Sequence, residues 1–172
     1  MIAGKKVCLR PYKLEDVATL MALRNDRDIQ AALMARATQN DEAKTIDWLN
    51  RRRNEEDSIF LVVADRESDV ALGFIQLIQI DPINLTGQLG ICIMPAAQRK
   101  GYALEALHLL ERYAAQERAI SKIVLHVLSD NVQAITLYEK VGFDTVGIYK
   151  KHHFNGDKFL DVTTMEKILG SR

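Results

Sequence analysis

The order of apolar and turn signals predicts an α/β (α+β) fold built on one mixed, mostly antiparallel central sheet of about seven strands. Three observations carry this. Strand-like and helix-like segments alternate from end to end of the 172 residues, with no linker, repeat or low-complexity tract between them. Three strand-like segments in the middle are joined by connections too short for a crossover helix, which makes them an antiparallel meander. A strand–helix–strand run follows, and that pattern makes a parallel pair. A chain of this length buries a core without metal or disulfide staples, so a single domain over residues 1–172 is expected.

Val7-Cys8-Leu9-Arg10-Pro11 reads as a short strand that Pro11 helps to end. From Leu14 to Arg24, apolar residues at Leu14, Val17, Leu20, Met21 and Leu23 have helical spacing. Asn25-Asp26-Arg27-Asp28 interrupts it, and a second helical stretch covers Ile29 to Met34. A third helix spans Asp41 to Arg53, with Asp41 as N-cap and Arg51-Arg52-Arg53 opposing the dipole at its C-terminus. Ile59 to Ala64 is apolar on both faces, as an internal strand should be. After a polar turn at Asp65 to Asp69 comes a strand from Ala71 to Ile80, in which Gly73 marks a bulge or a close backbone approach. The turn Asp81-Pro82-Ile83-Asn84 leads to a strand from Gly87 to Met94. A long helix runs from Gly101 to Glu117, with Leu104, Leu107, Leu110 and Ala114 as its buried stripe. Lys122 to Leu128 is β-branched and strand-like. Ser129-Asp130-Asn131 starts a helix over Val132 to Lys140, which Gly142 closes in the left-handed conformation. Two terminal strands, Asp144 to His153 and Lys158 to Lys167, flank the turn signal Asn155-Gly156.

Bulk chemistry narrows the function. The 23 basic and 23 acidic residues cancel, so no long-range field draws the chain to nucleic acid or to an anionic membrane, and neither is an expected partner. Cys8 and Cys92 both lie in apolar strands and read as buried thiols; no metal site is expected from their number or spacing. No apolar run is long enough to span a bilayer, and Met1 to Lys6 lacks the apolar core of a signal peptide, so a cytoplasmic protein is expected.

The segment richest in chemistry is the junction from Ile91-Cys92-Ile93 through Pro95 to Gln98-Arg99-Lys100-Gly101-Tyr102-Ala103. A helix N-terminus presents unpaired amides and partial positive charge, and so suits phosphate. Gly101 and Ala103 let a ligand approach the backbone closely, and Arg99 and Lys100 add cations. The spacing is neither that of a P-loop nor the three-glycine dinucleotide fingerprint.

Gln98 to Ala103 resembles the Gln/Arg-x-x-Gly-x-Gly/Ala signature of the GNAT superfamily of N-acetyltransferases. Asn131-Val132-Gln133-Ala134-Ile135-Thr136-Leu137-Tyr138-Glu139-Lys140-Val141-Gly142-Phe143 resembles that family's second signature, Asn-x-x-Ala-x-x-Leu-Tyr-x-x-x-Gly-Phe. Leu9-Arg10-Pro11, Leu23-Arg24-Asn25-Asp26 and the terminal hairpin look closest to a bacterial branch acting on ribosomal-protein N-termini, polyamines and nucleotide-linked amino sugars. The resemblance implies a single GNAT-like domain with helices on both faces and a splayed parallel strand pair that holds acetyl-CoA. Backbone groups of Ile91, Cys92 and Ile93 would pair with the pantetheine arm, amides from Gln98, Arg99, Lys100, Gly101, Tyr102 and Ala103 would hold the pyrophosphate, and Asn131 would lie near the pantetheine. Tyr138, two helical turns after Asn131, would protonate the departing thiolate.

The family's common general base, a glutamate, has Gln88 at the comparable position, and an amide cannot act as a base near neutral pH. A water chain, or a group from elsewhere such as His126, His152 or His153, would have to serve. The acceptor is expected at Asn25 to Asn54, where five arginines and a lysine balance the acidic residues and do not argue for a polyamine. The primary expectation is transfer of an acetyl group to a primary amine of a small molecule or peptide, either an amino sugar or a protein N-terminus. A polyamine acceptor and a catalytically silent acyl-CoA-binding module are the alternatives. The terminal strands leave edges open to pairing across a two-fold axis, so a homodimer is a further expectation.

Overall fold

The computed structural model describes residues 1–36 and 38–170. Its core is one eight-stranded sheet: β1 (Ile2–Ala3), β2 (Val7–Arg10), β3 (Ile59–Asp65), β4 (Ala71–Asp81), β5 (Thr86–Ile93), β6 (Lys122–Leu128), β7 (Asp144–Phe154) and β8 (Phe159–Ile168). The strand order is β1-β2-β3-β4-β5-β6-β8-β7, and every pairing is antiparallel except β5 with β6. The seven expected strands are all present. The eighth is the two-residue β1, too short to leave a period in the sequence; it pairs through Ile2 with Leu9 and Ala3 with Cys8.

The sheet carries a core on each face because its inner strands are apolar at successive positions. Along β3, Ile59 and Val63 enter one cluster, while Val62 and Ala64 enter the other. The first cluster is covered by α4 (Tyr102–Glu117) through Leu107 and Leu110, and by α5 (Val132–Val141) through Val141. The second is covered by α1 (Val17–Asn25) through Leu20 and Leu23, and by α3 (Glu42–Asn54) through Leu49. A short helix, α2 (Arg27–Ala32), separates them; Asp26 caps it by accepting from the amides of Asp28 and Ile29, each at 3.0 Å.

Two helical expectations need correction. Leu14 belongs to a 3₁₀ turn before α1 and is 73 % exposed, so it is not part of the buried stripe. In α4 the buried stripe is Ala106, Leu107, Leu109, Leu110 and Ala114; Leu104 is half-buried because the first turn lies at a cavity rim. The expected cap at Asp41 is present, its carboxylate accepting from the Lys44 amide at 2.8 Å.

Gly73 is a close approach. A Cβ there would lie 2.0 Å from the Cys92 carbonyl oxygen, so only glycine lets β4 and β5 pair at this point. A register shift in the β3–β4 ladder lies beside it, between Val63 and Ala64. At the chain's start, Arg10 is only 4 % exposed and Asp16 3 %; they form a bidentate pair at 2.7 and 3.0 Å. The Arg10 Nε also donates to Asp69 at 2.6 Å, which ties the β3–β4 turn to the entry of α1.

The parallel pair positions the site. β5 and β6 are in register at Thr86 with Lys122, Gly87 with Ile123 and Gln88 with Val124, and no farther. Beyond Gln88, residues 89–93 of β5 leave β6, which continues its pairing on the other side with β8 as far as Leu128 with Val162. The strands therefore splay into a V whose open end faces the N-termini of α4 and α5.

Candidate active site

The polypeptide leaves β5 at Ile93 and turns through a 3₁₀ segment, Pro95–Ala97, into the loop before α4. The Gln98 side chain donates to the Ile93 carbonyl at 2.9 Å and pins the loop to the strand end. The Gln98 amide is occupied as well, donating to the Pro95 carbonyl at 3.2 Å. Arg99 then adopts φ +63°, a costly left-handed conformation for a side chain with a Cβ, and Gly101 follows at +84° as the N-cap of α4. Among the described residues, the amides of residues 99–104 donate to no protein acceptor. A concavity of such amides at a helix start is an anion cradle. Lys6 lies over it; its Nζ donates to the Lys100 carbonyl at 3.0 Å and would be 3.3 Å from a Cβ on Gly101.

Lys6 is held there by a residue the sequence reading did not single out. Glu105, in the first turn of α4, accepts from the amides of Lys5 at 2.5 Å, Lys6 at 2.8 Å and Val7 at 3.1 Å. Burial pushes this carboxyl up, but the three amides outweigh it and hold Glu105 below the usual carboxylate range. Its helix-start position was a legible signal; its partners, a hundred residues away in sequence, were not.

Two cavities occupy the V. The first, of about 610 Å³, is lined by Ile91, Ile93, Gln98, Arg99, Gly101, Tyr102, Ala103, Asn131 and Tyr138 among others. Of the predicted cofactor residues only Cys92 and Lys100 are not on its wall. The Cys92 side chain points into the core of the opposite sheet face, where burial and then Asp26 push its thiol up to about 12. The Ile93 carbonyl already accepts from Gln98. The second cavity, of about 420 Å³, lies under α2, α3 and residues 33–36, 38 and 40, and is floored by Phe74, Gln76 and Gln88.

The cavities meet at Ala32, Ile91, Asn131, Ala134 and Tyr138, which line both. Asn131 caps α5, its side-chain oxygen accepting from the Ala134 amide at 3.2 Å. Seven residues on, Tyr138 stands on the same side of the helix, half-buried, with its ring 5.9 Å from Phe143. Its backbone is fixed by the predicted left-handed cap: Gly142 sits at φ +99°, Gly142 N–H donates to Glu139 and Phe143 N–H donates to the Tyr138 carbonyl at 3.0 Å. Burial, and then Cys92, push the Tyr138 phenol up to about 12, so it is protonated throughout the neutral range.

Of the three histidines considered as bases, His126 lines the second of these cavities, and His152 and His153 line neither. Its Nδ1 is 3.0 Å from the Thr164 hydroxyl, and burial, then the neighbouring His152, lower its pKa from the ordinary value. His152 instead stacks on Tyr149 at 4.8 Å. Gln88 sits on the cavity floor, so the position where a glutamate was looked for does face the site but carries an amide. Gln76 was not foreseen: it lies across Gly90, whose missing side chain makes room for it, and its Oε1 is buried without a partner. Among the described residues, no group of three or more His, Cys, Asp or Glu side chains converges as metal ligands, and no helix is long and apolar enough to cross a membrane.

Comparison with known proteins places this geometry in context. A family model described as an acetyltransferase (GNAT) domain matches residues 6–144. Spermidine N(1)-acetyltransferase of Vibrio cholerae is 27% identical over 163 residues, covering 94% of this chain and 92% of that protein. Ribosomal-protein-serine acetyltransferase of Escherichia coli is 27% identical over 106 residues, covering 62% of this chain and 59% of its own. The solved structure of spermidine N-acetyltransferase from Vibrio cholerae in complex with CoA and spermine superposes with a TM-score of 0.89 at 25% identity, covering 96% and 97% of the two chains.

Proposed function

The chain belongs to the GNAT acetyltransferase family, and from that we propose that it transfers the acetyl group of acetyl-CoA to a primary amine, as a single catalytic domain over residues 1–172, at the junction of the two cavities. It is an acyltransferase with acetyl-CoA as its donor. The observation that carries the transfer site is that a protonated phenol, Tyr138, lines both the cavity beside the amide cradle and the cavity on the other side of it.

The residues fit the donor. The free amides of residues 99–104, with the Arg99 and Lys6 side chains beside them, would hold its diphosphate. The diverging edge of β5 at Ile91 and Ile93 offers backbone groups to the pantetheine arm, whereas the Cys92 main chain is engaged in the ladder with Phe74 of β4 and its side chain in the opposite core. The donor supplies a thioester carbonyl. The amine enters as an ammonium and loses one proton, to His126 or to water held by it. Its nitrogen forms the new C–N bond, the nitrogen's second proton leaves to solvent, and the C–S bond breaks. Tyr138 gives its proton to the sulfur and recovers one through solvent.

Titration of the purified protein with acetyl-CoA, beside a Gly101→Glu variant, tests the reading. Binding by the wild type that the variant loses is expected. Absence of wild-type binding in a folded sample would end it.

The amine is that of an amino sugar or of a protein N-terminus; a polyamine is the second reading, favoured by the similarity to the Vibrio cholerae enzyme. A homodimer formed through the terminal strands remains part of the proposal, since β7 is the sheet's exposed edge and carries Val146, Ile148, Tyr149 and Phe154 in solvent.

A further inference from the structure

The acceptor cavity has an electrostatic character that separates these readings. Arg24, Arg36 and Arg52 line it, with His126, and no aspartate or glutamate does among the described residues. Arg52 is paired with Glu55 at 2.8 Å, outside the cavity wall. Arg24 and Arg36 take part in no ion pair among the described residues.

Arg24 is held more firmly than a surface arginine. Its guanidinium lies 4.6 Å from the centre of the Trp48 ring, and Trp48 is wedged edge-on against Phe60 at 5.2 Å and Phe74 at 5.8 Å. The Arg24 Nη1 is shut off from solvent and has no acceptor. Burial, followed by repulsion from Arg51 and Arg52, lowers its pKa from the ordinary value. A stacked, partly desolvated guanidinium with unused donors and cations for neighbours is incomplete without an anion. Its rigid fork matches two oxygens of a phosphate. Arg36, exposed on the loop that rims the same cavity, supplies a second cation at its mouth.

We infer that the acceptor is a phosphate-bearing primary amine of amino-sugar type, whose phosphate is bound by Arg24 and Arg36 while its amine reaches Tyr138. The inference rests on the acetyltransferase reading and adds the substrate class. Gln76 and Gln88 on the cavity floor are neutral partners suited to hydroxyl groups. A polyamine has the opposite charge requirement: each of its ammonium groups needs a carboxylate or carbonyl cluster, and this cavity offers cations instead.

The test is calorimetric titration of the protein saturated with coenzyme A, using glucosamine, glucosamine 6-phosphate, a uridine-diphosphate-linked amino sugar carrying a free amine, and spermidine. Acetylation of each in the presence of acetyl-CoA is followed by mass spectrometry. Either phosphorylated compound should bind more than about tenfold tighter than glucosamine, a margin ordinary for one charge-assisted pair. Arg24→Gln and Arg36→Gln should each remove most of that margin, bringing the affinity for the phosphorylated compounds down toward the affinity for glucosamine measured in the same variant. Arg36 is exposed, so its variant answers even if loss of the Trp48 stacking perturbs the other. Preference between the monoester and the diphosphate identifies the source of the phosphate. Equal binding of glucosamine and its phosphate, or preferential acetylation of spermidine by wild type and variants alike, would overturn the inference. A separate acetyl-CoA titration keeps the two ideas apart: if that donor fails to bind, the transferase reading falls, whereas phosphate binding lost in both arginine variants still establishes the anion site.

Discussion

Replacing Tyr138 with Phe removes one oxygen and leaves the ring in place. That oxygen makes no hydrogen bond to the protein among the described residues, and the ring's 5.9 Å contact with Phe143 survives the change. Fold stability should therefore shift by no more than about 1 kcal/mol. Affinity for coenzyme A should also hold, because the cradle of residues 99–104 is untouched. What disappears is the proton donor, which the raised pKa of about 12 keeps fully charged with its proton at pH 7. A positioned acid contributes about 100- to 10,000-fold in rate, equivalent to about 3–5 kcal/mol of barrier. The assay is steady-state release of free thiol, with thermal unfolding and coenzyme A titration as controls. A fall in kcat of at least about 100-fold with both controls unchanged is expected. A variant retaining more than about a tenth of the rate would show that Tyr138 is only a packed aromatic and that sulfur leaves unprotonated.

Three further outcomes follow from the same geometry. His126→Gln should lower kcat. The wild type should lose activity as pH falls through the depressed pKa of His126, below its ordinary value of about 6.5, because only the neutral imidazole accepts a proton; that acid limb should vanish in the variant's rate profile. Gly101→Ala forces a Cβ into φ +84°, at about 1–2 kcal/mol, so acetyl-CoA affinity measured by titration should drop while urea unfolding changes little more than that strain. Asp16→Asn leaves the buried Arg10 guanidinium with Asp69 as its remaining carboxylate partner and should cost about 1–3 kcal/mol in urea denaturation, without altering coenzyme A affinity in the fraction that remains folded.

The sequence was most legible where local chemistry dictates shape. Gly142 could be assigned a left-handed cap, and Asp41 an N-cap, because each decision is made by the residue and its immediate neighbours. The inner strands were visible for the same reason: residues such as Ile59 to Ala64 are apolar at every position and can only be buried on both sides, whereas the exposed edge strand β7 was marked by the Asn155-Gly156 turn. The loop at Gly101 was legible as a helix start with unpaired amides, yet the left-handed turn at Arg99 was not, because nothing about an arginine announces that conformation. Tyr138 and Asn131 could be placed on one helix face from their spacing alone. That the same face borders both cavities depends on where β5 leaves β6, which is set by tertiary register. The arginine-lined cavity was only partly visible. The cations at 24, 36 and 52 could be counted, but which of them would be stacked, paired or left open is decided by Trp48 and Glu55 in three dimensions. Leu14 failed because helical spacing does not reveal that the first turn lies beyond the core.

A crystal structure of the chain with coenzyme A would test the assembly of the site most directly. The diphosphate should lie on the amides of residues 99–104, with the thiol sulfur at the junction of the two cavities and within hydrogen-bonding distance of the Tyr138 hydroxyl. A cofactor seated elsewhere, or a sulfur beyond reach of that hydroxyl with the arginine cavity closed off from it, would contradict the proposed transfer.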